Sequence, residues 1–316
     1  MPAMDPTMDP SPGTPPGTPP VALPVAAPPG DAKLFLRRLL GHRLALAGLI
    51  IIAFLGTCAL LAPWLASERP QPPFGVWAIA PRLKLQPPSW LHPLGTDQLG
   101  RDQLSRMLYG ARVSLLIGIF SVTLAIALGT LLGAVAGFWG GRVDGLIMRL
   151  MDIMLAFPSL LLALAVVVII GKGLLNAMLA VGIISIPNYA RIVRASVLAE
   201  VHKDYVEASR ALGASRGRLL WRHVLPNALS PLIVSGSLGI GTAILDTAGL
   251  GFLGLGAQPP LAEWGLMLSD NRQKLFGEWW LVVAPGLAIM LTVLGFNLLG
   301  DGLRDIMDPR LRRGRR

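Results

Sequence analysis

Long apolar runs separated by short polar connections dominate the chain after residue 43. Six of these runs approach the roughly 20 residues that a helix needs to span a membrane. We predict spans at 44–66, 113–138, 153–171, 174–190, 227–252 and 279–300. The pattern therefore predicts an all-α, polytopic membrane protein with six transmembrane helices.

Composition agrees with this prediction. Hydrophobic residues make up 53% of the chain and charged residues 15%, more apolar than a soluble domain of 316 residues needs to build a core. Cys58 is the only cysteine, which excludes an internal disulfide and a thiol metal cluster. The net charge of +10 is compatible with nucleic-acid binding, but the basic residues lie in short loops and at the C terminus. Membrane topology explains them better, so membrane lipid is expected as a partner and nucleic acid is not.

The ends of the chain differ from its apolar centre. The first thirty residues hold eleven prolines and no apolar run, so residues 1–32 are predicted to be a disordered tail and not a signal peptide. Residues 33–67 form an arm and the first span, interpreted as a retained signal anchor, and 68–112 an extracytoplasmic segment. Residues 113–303 form a core of five spans that contains a loop at 200–227, and 304–316 a basic tail.

Charge placement predicts the orientation. With the N terminus inside, nineteen Lys and Arg residues lie on the cytoplasmic side and nine outside. This bias follows the positive-inside rule. Six of the nine outer residues lie in one long outer segment, and charges in long segments influence orientation less than charges in short loops. Both termini and the 200–227 loop are therefore expected to face the cytoplasm.

The 200–227 loop contains the charged stretch YVEASRALGASRGRLLWRHVLPN. Its spacing predicts a short helix with Val201, Tyr205, Ala208 and Leu212 on one face. A short helix along the membrane, small on its contact face, can enter a groove in a cytoplasmic partner. The alternative is an ordinary interfacial helix in which Glu207 pairs with Arg210, a contact typically worth a few tenths of a kcal/mol.

Turn and capping residues divide this loop. Gly213 is expected to stop the first helix, and Ser215 to cap a second short helix that runs through Trp221. Pro226 lies where the fifth span is expected to begin. His223 is interpreted as a structural residue that forms a hydrogen bond within the loop.

Three separated motifs carry a family resemblance. The loop resembles that of binding-protein-dependent ABC-transporter permeases, although Ser209 replaces the usual second Ala of a Glu-Ala-Ala opening. The sequences LGTD at 94–97 and GRD at 100–102 resemble the N-terminal region of C-type permease subunits of dipeptide, oligopeptide and nickel importers. The closing FNLLGDGLRDIMDPR at 296–310 matches as well. The loop residues that carry the match are Glu207, Ala208, Ser209, Gly213, His223, Leu225, Pro226 and Asn227.

The resemblance implies a type I ABC-importer permease fold with a cytoplasmic coupling helix, located in the bacterial cytoplasmic (inner) membrane. It implies one half of a translocation pore for di- or oligopeptides, with nickel or another small solute as the alternative substrate. The implied partners are a second homologous permease, two ATP-binding subunits and an extracytoplasmic substrate-binding protein. The implied coupling residues are Tyr205, Glu207, Ala208, Ser209, Leu212, Gly213, His223, Leu225, Pro226 and Asn227.

The chain lacks motifs for chemistry of its own. The only Gly-Lys pair, Gly171-Lys172, is followed by Gly173 and does not form a phosphate-binding loop. ATP and Mg²⁺ are therefore expected in the partner ATPase subunits, with no cofactor or metal bound by this chain. Four dispersed histidines and the absence of HExxH and GxSxG leave no catalytic candidate.

Two glycine patterns have structural interpretations. The GxGxxG spacing of Gly249, Gly251 and Gly254 lacks the strand and the acidic residue of a dinucleotide site, so it indicates helix packing or a bend. A second series, at 129, 133 and 137, predicts close approach of two helices.

Charged residues within spans are candidates for a transport pathway because they are costly in lipid. Asp246 in the fifth span is such a candidate, and a structural hydrogen-bonded acid is the alternative. Asp152 is expected to pair with Arg149. Prolines 158, 187 and 285 are expected to interrupt three spans, and the stretch at 99–109 to lie on the membrane surface.

Two other classes remain open at this point. An ion-coupled secondary transporter would use Asp246 as its relay but leaves the 200–227 loop unexplained. It also usually has an inverted internal repeat, which is not evident in this sequence. A membrane-embedded assembly protein would use the same loop only as a scaffold contact.

Overall fold

The computed structural model describes residues 32–68 and 77–307. Almost all of the predicted N-terminal tail and most of the basic C-terminal tail lie outside these residues. Within them there are helices and turns but no strand, apart from one isolated bridge between Thr96 and Asp102. The α-helices are α1 (Ala32–Gly41), α2 (Arg43–Leu65), α3 (Gln103–Trp139), α4 (Gly141–Leu155), α5 (Ser159–Ile170), α6 (Leu174–Val201), α7 (Asp204–Ala211), α8 (Arg216–Arg218), α9 (Leu225–Ala228), α10 (Ser230–Phe252), α11 (Trp264–Asn271) and α12 (Trp280–Met307).

Five helices are long and apolar enough to cross a membrane, namely α2, α3, α6, α10 and α12. The pair α4 and α5 raises the number to six when it is counted as one span, and its helices are bent by 96°. The six predicted spans thus correspond to these elements, but five of their boundaries differ by three residues or more. The α4–α5 pair begins at Gly141 instead of 153, and α12 continues to Met307 instead of ending at 300. Helix α3 begins at Gln103, α6 continues to Val201, and α10 begins only at Ser230.

Only one of the three prolines interrupts a helix. Pro158 lies at the break between α4 and α5, where its extended backbone precedes the first turn of α5. Pro187 and Pro285 lie inside continuous helices, so the prediction that they interrupt their spans is wrong. In membrane helices, neighbouring groups compensate for the backbone hydrogen bond that proline removes.

Ion pairs attach α4 to α6. Arg194 Nη2 donates to Asp144 Oδ2 at 2.6 Å, and Arg191 pairs with Asp152. The predicted pairing of Asp152 with Arg149 is therefore wrong, because α6 brings a guanidinium group from another helix to that carboxylate.

The most extensive contact between two helices of the described bundle joins α3 to α6. A Cβ atom added at Gly129 would lie 2.7 Å from the Cβ of Tyr189, and one at Gly133 only 2.3 Å from the carbonyl oxygen of Ala190. At Gly137 the carbonyl oxygen of Arg194 would be 2.9 Å away. The predicted close approach along this glycine series is confirmed, since only hydrogen fits between the two backbones.

The glycines of the GxGxxG spacing also have structural roles. A Cβ atom at Gly251 would lie 3.1 Å from Glu263 Oε2, beside the start of α11. Gly254 has a φ of +75°, which favours glycine and forms the turn after α10. The predicted packing or bend is confirmed at these two positions.

Glu263 fixes the start of α11. Its Oε1 accepts from Gly265 N and its Oε2 from Leu266 N, both at 2.8 Å, and Ser114 of α3 donates to Oε1. Burial raises the pKa of Glu263, and these three hydrogen bonds oppose that effect. One acidic side chain therefore caps α11 and ties it to α3.

The start of α3 is part of a buried polar cluster and does not lie on the membrane surface. Asp102 caps the helix by accepting from Ser105 N at 2.7 Å. Gln103 and Arg106, which were expected at the surface, are almost completely buried. The prediction of a surface stretch at 99–109 is wrong at these two residues. Arg106 Nη1 donates to Asp97 in the preceding segment, and Gln103 Nε2 donates to the carbonyl oxygen of Leu281 in α12. These contacts reduce the cost of burying the two side chains.

The glycine series generates a stability prediction. We expect Gly133→Leu to lower the unfolding temperature of the purified protein, because overpacking typically costs about 1–3 kcal/mol and the neighbouring atom is backbone. The matched control is Gly145→Leu in α4, where an added Cβ atom meets nothing within 4 Å. Equal unfolding temperatures for the two variants, measured in detergent, would contradict the predicted close contact.

Candidate functional site

The 200–227 loop and residues 77–102, the described part of the 68–112 segment before α3, lie at opposite ends of the bundle. Helix α3 has 37 residues, which at about 1.5 Å per residue gives a length of about 55 Å. The 68–112 segment leads into its first residue, whereas Trp139 at its last residue lines a cavity with Val201 and Arg210 of the loop. Since a hydrocarbon core is about 30 Å thick, α3 is long enough to place the two regions on different sides of a membrane.

Helix α7 is the exposed short helix of this loop. Asp204 and Glu207 lie in its first turn and Arg210 in its last turn, which is the charge order that the helix dipole favours. After Leu212 the chain reaches Gly213, whose φ of +84° is the left-handed conformation that ends many helices. The predicted stop at Gly213 is confirmed.

The second half of the loop is a chain of short helical turns. Ser215 caps α8 by accepting from Arg218 N at 3.5 Å, as predicted. A π-helical turn at Leu219–Val224, which contains Trp221, follows directly and leads into α9. Pro226 lies in the first turn of α9 and not at the start of the fifth span, which is the separate helix α10.

An apolar contact fixes α7 to the rest of the loop. Val206 is fully buried and belongs to the same core cluster as Leu219, Leu220 and Val224. This cluster continues into α3, α6 and α10. Helix α7 is therefore a surface helix with one buried anchor, and its position depends on the turns that follow it.

The Tyr205 hydroxyl joins both ends of the loop. It donates to Glu200 Oε1 at 2.5 Å and accepts from Asn227 Nδ2 at 3.1 Å. Asn227 also donates to the carbonyl oxygen of His223 at 2.8 Å. Burial and the neighbouring Glu200 raise the pKa of Tyr205 to about 12, so the hydroxyl keeps its proton at neutral pH.

Three predicted residues thus meet in one network. Tyr205 and Asn227 contribute side chains, whereas His223 contributes its backbone carbonyl. The fourth member of the network, Glu200, was not among the predicted residues; it also pairs with Lys203 at 2.6 Å. The signal in the sequence that could have indicated Glu200 is its position as an acidic residue in the last turn of the long, mostly apolar helix α6.

The predicted contact face of α7 is wrong at one residue, Val201, whereas its other three residues are exposed, as a partner-binding face requires. Val201 belongs to α6, and the buried residue of α7 is Val206, which was not in the predicted set. Tyr205, Ala208 and Leu212 are exposed, with Leu212 at 89%. Among the described residues, Glu207 forms no ion pair with Arg210, and both side chains are exposed. Among the described residues, the charged side chains of Glu207 and Arg210 on α7 therefore do not pair with each other.

Asp246 is far from the loop. It lies in α10, sixteen residues after Ser230, or about 24 Å along the helix. Its side chain is half-buried, and within the described part of the chain it forms no hydrogen bond or ion pair. The loop and Asp246 are therefore separate candidate sites.

A bundle of helices long and apolar enough to cross a membrane, with a structured polar loop at one end, defines a multi-pass membrane protein. The family model described as binding-protein-dependent transport system inner membrane component matches residues 129–313, more than half of the chain. The chain belongs to this family. The model described as N-terminal TM domain of oligopeptide transport permease C matches residues 32–88, so the resemblance to C-type permease subunits is confirmed.

Relatives of similar length support the assignment. The di/tripeptide transport system permease protein DppC of Pseudomonas aeruginosa is 50% identical over 290 residues, which cover 90% of this chain and 94% of the relative. The dipeptide transport system permease protein DppC of Escherichia coli K12 is 52% identical over 268 residues, with coverages of 85% and 89%. The probable D,D-dipeptide transport system permease protein DdpC of the same strain is 46% identical, with coverages of 86% and 89%.

A solved structure supports the fold. The MetNI methionine ABC transporter in inward-facing conformations matches with a TM-score of 0.52 at 17% identity. The match covers 64% of this chain and 97% of the other. The predicted type I importer permease fold is thereby confirmed.

The tyrosine network generates a prediction on local stability. We expect Tyr205→Phe to increase amide hydrogen exchange across 203–224, because it leaves Glu200 and Asn227 without a shared partner. Leu212→Ala is the control, since Leu212 is 89% exposed. Exchange rates in Tyr205→Phe that match those of the control would show that the hydroxyl does not hold the loop.

Proposed function

We propose that this chain forms one half of the translocation pore of an ATP-driven importer and receives the ATPase movement through α7. The observation that carries this proposal is the construction of the loop. Val206 anchors α7 in the core, and the Tyr205 hydroxyl links it to Glu200 and Asn227. A helix held in this way can transmit a force instead of absorbing it.

The proposed mechanism is alternating access. The two ATP-binding subunits bind ATP and Mg²⁺, and their closure displaces α7 together with the π-helical turn and α9. Because only Leu229 separates α9 from α10, and Glu200 lies in the last turn of α6, the displacement reaches two spans at once. These spans then open the pore outward, and hydrolysis returns them to the inward state.

The remaining partners follow from the same proposal. A second homologous permease completes the pore, and an extracytoplasmic binding protein delivers the solute to the 68–112 segment and the 257–275 loop. In this arrangement both termini and α7 lie in the cytoplasm, in agreement with the charge count of nineteen against nine.

We propose di- or tripeptides as the substrate class. The relatives from Pseudomonas aeruginosa and Escherichia coli are named for transport of di/tripeptides, dipeptides and D,D-dipeptides. Nickel or another small solute is the alternative within the same machinery. Selectivity of such systems rests largely on the delivering protein.

Charge reversal on α7 tests the coupling. We expect Glu207→Arg combined with Gly213→Trp to remove the co-purifying ATPase or to separate ATP hydrolysis from peptide uptake in reconstituted vesicles. Glu207 is exposed, and Gly213 has open space around it but a φ of +84°, so the double variant alters the shape and charge of α7 at its surface. Uptake falls by at least tenfold in this variant.

The matched control is Lys172→Glu, a charge reversal at an exposed position between α5 and α6. The control is expected to retain both the ATPase and uptake. Normal vanadate-sensitive uptake in the α7 variant would refute the coupling role of this helix.

We also propose that Asp246 lies on the translocation pathway, because an acidic side chain without a protein partner in the described structure is costly in lipid. Asp246→Asn is expected to lower ATP-driven uptake severalfold while the ATPase still co-purifies. If uptake instead follows a proton gradient, needs no ATP and is lost in Asp246→Asn, the chain is an ion-coupled secondary transporter. The matched control is Thr242→Val on the same helix, which should leave uptake unchanged.

A further inference from the structure

A second polar site lies at the end of the bundle opposite α7. A cavity of about 230 Å³ opens there between the start of α3 and the end of α11. Asp97, Arg101 and Arg106 line one side, and Asp270 and Asn271 the other. Drug-sized ligands occupy pockets of roughly 300–1,000 Å³, so this cavity suits a smaller molecule.

The α3 side of the cavity carries a surplus positive charge. Asp97 Oδ2 accepts from Arg101 Nε and from Arg106 Nη1, both at 2.6 Å. Asp97 Oδ1 accepts from the backbone N–H groups of Leu99 and Arg101 at 2.8 and 3.0 Å. One carboxylate thus faces two guanidinium groups, and its hydrogen-bonding capacity is filled by groups of its own segment.

Arg106 has unused hydrogen-bonding capacity in this cluster. The side chain is only 1% exposed, and its Nε has no partner among the described residues. A buried guanidinium nitrogen without an acceptor is costly and uncommon in folded proteins. A bound anion on this side would give the two guanidinium groups a further acceptor and neutralise the surplus charge.

The opposite side carries an acidic group. Asp270 forms no ion pair within the described part of the chain, although Arg101 and Arg106 lie across the same cavity. Gln98 Nε2 donates to the backbone carbonyl oxygen of Asp270 at 2.9 Å, which fixes the end of α11 and leaves the carboxylate free. Burial raises the pKa of Asp270, an effect that the charges of Arg106 and Arg101 oppose. A cation beside this carboxylate would favour its ionised form.

We propose that this cavity binds a small zwitterion, a di- or tripeptide with free termini, as it arrives at the outer mouth of the permease. The peptide carboxylate lies against Arg101 and Arg106, and its ammonium group against Asp270. The inference rests on the proposed function, because it assumes that the chain transports peptides and that this end faces the outside. It adds a receiving site in the permease itself, separate from the delivering protein and from Asp246.

Peptides that lack one terminal charge test the proposal, because N-acetylation removes the ammonium group and amidation removes the carboxylate. The permease–ATPase complex, purified without the binding protein and held in nanodiscs, is titrated with dialanine, N-acetyl-dialanine and dialanine amide by saturation-transfer NMR. We expect Asp270→Asn to weaken dialanine binding by about tenfold, since a charge-assisted contact contributes about this much, and to leave N-acetyl-dialanine unchanged. Arg101→Gln has the complementary effect: it weakens dialanine and leaves the amide unchanged.

The control replaces another charged pair of the same region. Lys274 and Glu278 form an ion pair at 3.7 Å and do not line the cavity, so the double variant Lys274→Gln, Glu278→Gln retains wild-type dialanine binding. Asp270→Asn preserves side-chain size at an exposed position, so its fold is expected to survive. Co-purification of the ATPase verifies this for each variant.

Two outcomes would overturn the proposal. One is dialanine binding that does not change in Asp270→Asn and Arg101→Gln. The other is an unchanged peptide titration together with weaker attachment of the binding protein, which would make the cavity a docking surface for that protein. Either outcome leaves the proposed function standing, because ATPase co-purification and vanadate-sensitive uptake are measured separately. Loss of ATP-driven uptake in the wild-type complex would instead remove the proposed function itself.

Discussion

The contact between α3 and α6 is the constraint on which the rest of the structure depends. In a membrane, lipid is as apolar as the helices, so association relies on close van der Waals packing. Glycines at 129, 133 and 137 allow the α3 backbone to approach α6 within distances that no Cβ atom permits. Helix α6 ends beside the 200–227 loop, and α3 begins in the polar cluster at the other end. The positions of both polar regions therefore follow from this one contact.

The two ends of the bundle use polar groups differently. At the loop end, one tyrosine hydroxyl and one buried valine hold an otherwise exposed helix, so that its outer surface remains available. At the other end, Asp97 and Asp102 are buried and form hydrogen bonds to arginine side chains, a histidine and backbone groups. Unpartnered polar atoms in such a cluster are costly, and among the described residues it contains three of them: His92 Nε2, Gln103 Oε1 and Arg106 Nε.

Helix boundaries were the least predictable part of the fold. The apolar run of α3 begins at 113, but the helix starts at Gln103, because Asp102 caps an additional amphipathic stretch that is too polar to count as part of the span. Helix α6 likewise continues past its apolar run. Its Arg191 and Arg194 form ion pairs with acidic residues of α4, which stabilise the polar part of the helix. Sequence pattern reports where a helix is apolar, whereas capping and ion pairs decide where it ends.

The sequence by itself determined the positions of the apolar runs, the family, the helix stop at Gly213, the cap at Ser215 and the close approach along the α3 glycines. Each of these depends on local conformation or on side-chain size at regular spacing. The tertiary structure decided that Val206 anchors α7, that Glu200 receives the Tyr205 hydroxyl, and that Asp270 faces Arg101 and Arg106. These groups are brought together from separate helices, and their contacts are set by packing that no local pattern records.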